Sequence, residues 1–123
     1  MLGLADRSQL FELYDQVMRG DAAGALGLVA ALYSAGADPA SLVQDLLDLT
    51  HWLTRLKLAP AAADLPTVPE TERVRGKEMA GRLGMGQLTR AWQMLLKGLG
   101  EVQQAPAPLQ ALEMLLVRLT HAA

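Results

Sequence analysis

Cysteine is missing from the 123 residues, which excludes both a disulfide framework and a thiolate metal site. Aromatic residues make up only 4% of the chain and β-branched residues are sparse, so a sheet has little to build on. Charge of one sign is scarce too: a net charge of −2 gives no overall attraction to nucleic acid or membrane. No apolar run is long enough to span a bilayer, and the start of the chain has no signal-peptide pattern. No GxxxxGK[ST] sequence occurs, hence no P-loop. What remains is rich in leucine, alanine, valine and methionine, a composition that favours helices. A chain of this length is one domain, 1–123, burying roughly two-thirds of its unfolded surface. The expectation is a soluble, cytoplasmic, all-α protein: a single bundle of about six helices.

Helix starts and stops can be read from short-range signals. Asp6 is a good N-cap, and Gln9 three residues on completes a capping-box spacing. Leu10, Phe11, Leu13, Tyr14, Val17 and Met18 then share a face, and Gly20 ends that helix. Asp21 opens a second, with Leu26, Val29, Leu32 and Tyr33 as its apolar positions and Gly36 as its stop. Asp38 followed by Pro39 opens a third, carrying Leu42, Leu46, Leu49, Leu53 and Leu56 to about Leu58. Turns this short predict that these three helices pack as successive hairpins. The stretch 60–66 reads as the one true loop, and Thr67 with Glu70 repeats the capping-box spacing before a helix carrying Val74, Met79, Ala80 and Leu83.

The sequence points to residues 88–119 as the organising element. Leu88, Trp92, Leu95, Leu99 and Val102 recur at helical steps, as do Leu109, Leu112, Leu116 and Leu119. Between them, residues 105–108 carry two prolines that stop the first helix and start the second, making the pair antiparallel neighbours. The second helix leaves almost no polar face over 112–119, so it wants protein on most sides.

Few residues suggest chemistry. On the third helix Gln44, Asp48, His51 and Arg55 form a polar stripe; Asp48 and His51 supply two ligands at most, and the only other histidine is His121. A solvated stripe is the better reading. The glycines at 81, 84 and 86 follow a helix, where a phosphate-binding loop would follow a strand. Helix, Gly84-Met85-Gly86, helix also fits a helix-turn-helix, with Gln87, Thr89, Arg90 and Gln93 opening a recognition helix. Arg73, Arg75, Lys77, Arg82, Arg90 and Lys97 outnumber Glu70, Glu72 and Glu78 in that region, though such a surplus is more often a solvated face. Trp52 and Trp92 read as core anchors. Glu113 and Arg118 sit in the most apolar helix and need partners inside the domain or on a neighbouring subunit.

The run 90–98 (RAWQMLLKG), then Ala105-Pro106 and 113–118 (EMLLVR), closely resembles the tau/gamma subunit of the bacterial DNA polymerase III clamp loader. The likeness extends to residues 2–6, 36–39, His51-Trp52 and 73–75, in the same order, and so covers the whole chain. The matching part is the helical collar that follows the ATPase module. The resemblance implies a non-catalytic, cofactor-free oligomerisation domain that joins copies of itself and the delta and delta-prime subunits in a ring. The ring loads the sliding clamp for DNA replication, and neither sequence-specific DNA nor a membrane is a direct partner. The family's ATPase, its zinc site and its C-terminal tau segments map onto no residue here, and residues 1–3 read as the start of an excised domain. An unrelated helical interaction module is the second reading, and a helix-turn-helix DNA-binding domain the third.

Arg90, Lys97, Glu113 and Arg118 are the residues expected to set a subunit interface or its register. Counting from the turn at 105–108, Lys97 and Glu113 stand about 12 and 8 Å along the hairpin, close enough for the lysine to bridge. Arg118 falls level with Gln93 and Met94 and needs a different partner.

Overall fold

A computed structural model describes residues 6–122; the expectations for residues 1–3, and all but Asp6 of the 2–6 stretch, lie outside it. Among the described residues there are six α-helices and no strand. They are α1 (Arg7–Met18), α2 (Ala22–Ser34), α3 (Pro39–Leu58), α4 (Glu70–Arg82), α5 (Met85–Gln104) and α6 (Pro108–Ala122).

The local signals act as read. The Asp6 carboxylate accepts from the Gln9 amide at 2.9 Å, and the Gln9 side chain returns to the Asp6 amide. Asp21 and Asp38 accept from the Gly24 and Ser41 amides in the same way. Gly20 and Gly36, with φ of 79° and 104°, turn the chain off α1 and α2 in a backbone conformation that residues with a side chain rarely adopt.

Two local readings fail. The 60–66 stretch is not structureless, because Pro60–Asp64 winds into a short 3-10 helix that buries Ala63 beneath it. Thr67 does not cap α4. That would require Val68 in a helical conformation immediately before Pro69, which the proline ring disfavours. The helix starts after Pro69, which has no side-chain acceptor to offer.

α3 is the hub. It buries nine residues and packs on α5, α4, α6 and α1. Its first turn lies beside Pro108, near where α5 ends, so α3 and α5 run antiparallel. Against α4 the approach is close: a Cβ on Gly76 would lie 2.9 Å from both Trp52 Nε1 and a Leu56 methyl. The Trp52 indole N–H donates to the Glu72 carbonyl at 3.3 Å, and Lys57 Nζ donates to the Ala80 carbonyl at 2.8 Å, in the last turn of α4. The expected train of hairpins breaks after the α1–α2 pair, because α2 turns its other side to α6 rather than to α3. Its narrow stripe of Ala25, Val29 and Leu32 covers a side of α6 that its apolar sequence could not leave wet.

Between α1 and α3 the Tyr14 and Thr50 hydroxyls meet at 2.8 Å in the core. Thr50 already donates to the Leu46 carbonyl, so the tyrosine is the donor. Burial pushes the Tyr14 phenol up to about 12, against the opposing effect of that hydrogen bond.

Some apolar positions assigned to the core are exposed: Tyr33 by 48%, Val74 by 49% and Trp92 by 39%. Tyr33 and Val74 sit beyond the edge of the faces their helices bury, while Ala25 and Gly76 take the inner places.

Candidate functional site

The α5–α6 hairpin forms as its prolines predict, and its contact point is Gly98. A Cβ there would lie 2.5 and 2.6 Å from the two methyl carbons of Leu115, so the leucine uses the space the glycine leaves. That contact fixes which faces meet. Glu101 follows Gly98 by three residues and Arg118 follows Leu115 by three, so each shares its helix's contact face. They join: Arg118 donates to the Glu101 carboxylate at 2.8 Å. The hydrogen bond from Arg118 holds the Glu101 carboxyl below the usual range, with the charges of Arg118 and Lys97 adding to it.

The expected pairing of Lys97 with Glu113 does not occur; among the described residues neither makes an ion pair. Two geometric reasons account for this. Glu113 precedes Leu115 by two residues, about 200° around the helix, and so points away from α5. In addition, side chains slant toward the N-terminus of their own helix. On α6 that means toward the connection, and on α5 away from it, so Lys97 and Glu113 lean apart while Glu101 and Arg118 converge. The same slant spans the axial offset between Arg118 and Glu101. The partner that Arg118 required was Glu101, and the Gly98–Glu101 spacing was the signal that could have found it.

Arg90 is exposed and borders a crevice formed with Met18, Met94 and Leu119. Arg90, Lys97 and Arg118 are all exposed and Glu113 is half-buried; the fold brings Lys97 and Arg118 within reach of the same carboxylate, Glu101.

The polar stripe of α3 is exposed as expected at Gln44, Asp48, His51 and Arg55. Its neighbour Asp45 has a carboxyl raised from the ordinary range, first by burial and then by Asp48, with Arg7 opposing. No group of three or more His, Asp or Glu among the described residues is arranged to hold a metal. His51 and Thr54 border an apolar groove of about 310 Å³ whose other wall is Leu88, Thr89, Trp92 and Gln93 of α5.

The basic surplus around α4 is engaged inside the fold. Arg82 bonds Asp15 at 2.9 Å and Glu78 at 3.2 Å, and Lys77 bonds Asp64 at 2.7 Å. Arg75 reaches Glu12 and lies over the Phe11 ring, and Arg73 approaches Glu70. Arg7 pairs with Glu72 at 2.6 Å, which ties α1 to α4 again. α5 meanwhile gives its inner face to α3 and α6. These are poor circumstances for a helix-turn-helix: the basic side chains of α4 pair with acids of α1, α4 and the 3-10 turn.

A scan of the sequence against known families matches residues 1–123 to the DNA polymerase III subunits gamma and tau domain III. The chain belongs to this family. It is 34% identical over 121 residues to the DNA polymerase III subunit gamma/tau of Mycobacterium tuberculosis, and equally to that of Mycobacterium bovis. That match covers 97% of this chain and 21% of the relative. With the DNA polymerase III subunit tau of Salmonella typhimurium it shares 29% over 118 residues, which is 96% of this chain and 18% of the relative. The chain thus spans about a fifth of the length of these relatives. Its architecture is an all-α bundle, and no described helix is long and apolar enough to cross a membrane.

Proposed function

We propose that this domain is the non-catalytic collar of a clamp-loader subunit, holding copies of itself and the delta and delta-prime subunits in a ring. The observation that carries this reading is the domain III match across the whole chain. The ATPase module and the tau segments that contact polymerase and helicase belong to other parts of the longer protein. Residues 1–123 form one domain, it works in the cytoplasm, and it needs no cofactor. The exposed charges of Arg90, Lys97 and Arg118, with half-buried Glu113, set register between subunits; apolar helix surface supplies the association. The inward use of the α4 charges supports a protein partner over DNA.

Hydrogen exchange of the chain with and without delta and delta-prime tests this reading. New protection is expected in α5 and α6. Protection confined to α1, α2 and α3, or no binding at all, overturns it. A calorimetric titration with ATP and magnesium should give no micromolar binding; a binding isotherm there would contradict the non-catalytic assignment.

A further inference from the structure

α4 is attached to the fold by charge more than by apolar burial. More than half of its residues are charged, and it buries only Gly76, Met79 and Ala80, of which Met79 alone has a large side chain. It packs on α3, α1 and the 3-10 turn. Its ties to α1 are ion pairs spaced down both helices: Glu72 with Arg7, Arg75 with Glu12, and Arg82 with Asp15. Arg19 lies beside the same two acids of α1, and Glu78 shares Arg82. From the 3-10 turn Asp64 takes Lys77, and from α3 Lys57 donates to the Ala80 carbonyl. Beneath the helix lie Phe11, under the Arg75 guanidinium, and Trp52 and Leu56, against Gly76.

The other five helices meet one another without α4. α3 packs on α5, α6 and α1; α6 packs on α5, α2 and α1; α1 packs on α2. Of the largest fully buried side chains, all but Met79 belong to these five helices, so most of the apolar stabilisation resides there. Residues 65–69 and 83–84 at the ends of α4 are not helical, which lets it move without unwinding α5.

We propose that α4 and the 3-10 turn form a strap that opens as one unit from a five-helix body that stays folded, with ionic strength setting how often it opens. Exposed ion pairs are weak and are screened by salt, whereas apolar burial is not. A cooperative unit with few buried apolar contacts is the part of a fold that opens first. Opening uncovers Phe11, Trp52 and Leu56, an apolar surface spanning α1 and α3 that the closed strap keeps from water. The strap is separate from the ring reading and does not depend on it.

Native-state hydrogen exchange of the whole chain, read helix by helix, tests the strap. The hydrogen-bonded amides of α4 should share one opening constant, larger than that of the core amides of α3, α5 and α6. It should rise as salt is raised from about 0.02 to about 0.5 M. Arg82→Gln removes the tie to Asp15 and should raise it about threefold to tenfold. Leu115→Val thins the α5–α6 contact, which is present whether the strap is closed or open. That variant should speed exchange in α5 and α6 severalfold and leave the opening of α4 unchanged. If α4 opened only when the whole domain unfolds, its opening constant would equal that of α5 and would follow Leu115→Val; either result overturns the proposal. An opening constant of α4 indifferent to both salt and Arg82→Gln overturns it as well.

Discussion

Replacing Gly98 with alanine should destabilise the fold, although alanine is the better helix former. Propensity alone favours the change by about 0.5–1 kcal/mol. The added Cβ, however, would meet Leu115 at 2.5, 2.6 and 3.0 Å. Leu115 is 1% exposed and packed on all sides, so it cannot swing clear into solvent. Overpacking of this kind costs about 1–3 kcal/mol, which offsets the propensity gain and leaves a net loss of up to about 2.5 kcal/mol. Gly100→Ala is the internal control: nothing lies within 4 Å of its Cβ position, so it keeps the propensity gain alone. Two identical substitutions two residues apart should therefore change stability in opposite directions. Urea and thermal unfolding of dilute protein measure both; 1 kcal/mol corresponds to roughly 3–6 °C for a domain of this size. Adding Leu115→Val to Gly98→Ala removes a carbon where one was added. The double variant should be more stable than the sum of the singles by at least about 0.5 kcal/mol. If Gly98→Ala stabilises as much as Gly100→Ala, the helices do not touch at that point and the hairpin register described here is wrong.

Two pH dependences follow from the same packing. The Tyr14 phenol is raised from 10.0 to about 12, so its contribution is complete below pH 10 and is lost as pH rises toward 12. The loss should amount to about 3 kcal/mol, measured as an alkaline drop in unfolding free energy that Tyr14→Phe removes; an unchanged drop in that variant would assign the effect to another group. Glu101 is lowered by Arg118, so the pair stabilises above the ordinary carboxylate pKa and loses its effect as pH falls through the lowered value. Glu101→Gln should be insensitive to that acid step and Arg118→Gln should abolish the downward shift; carboxyl titration by NMR reads both, and an unshifted Glu101 in the parent chain would show that the pair is not formed.

Helix number, order and ends were legible in the sequence because they depend on groups within a turn of each other. Asp6, Asp21 and Asp38 cap amides three residues away, Gly20 and Gly36 take a positive φ, and prolines interrupt the 105–108 connection. Thr67 misled because a second local rule, the restriction on Val68 before Pro69, overrode the capping signal. The family could be read as well, since order and spacing of motifs survive without any knowledge of packing. Which apolar residues ended up inside could not be read so directly. Periodicity gives the face of a helix that is apolar, but the edge of the buried strip depends on where the neighbouring helices stand. That is why Trp92, Tyr33 and Val74 are exposed while Ala25, Ala63 and Gly76 are buried. The charges of the hairpin obeyed the same limit. Counting along the chain placed Lys97 near Glu113, but the contact of Gly98 with Leu115 set the rotation of both helices, and their opposed slant gave the ion pair to Glu101 and Arg118. Distance along a helix is fixed by its sequence, whereas its rotation against a neighbour is decided by all the helices that pack on it together.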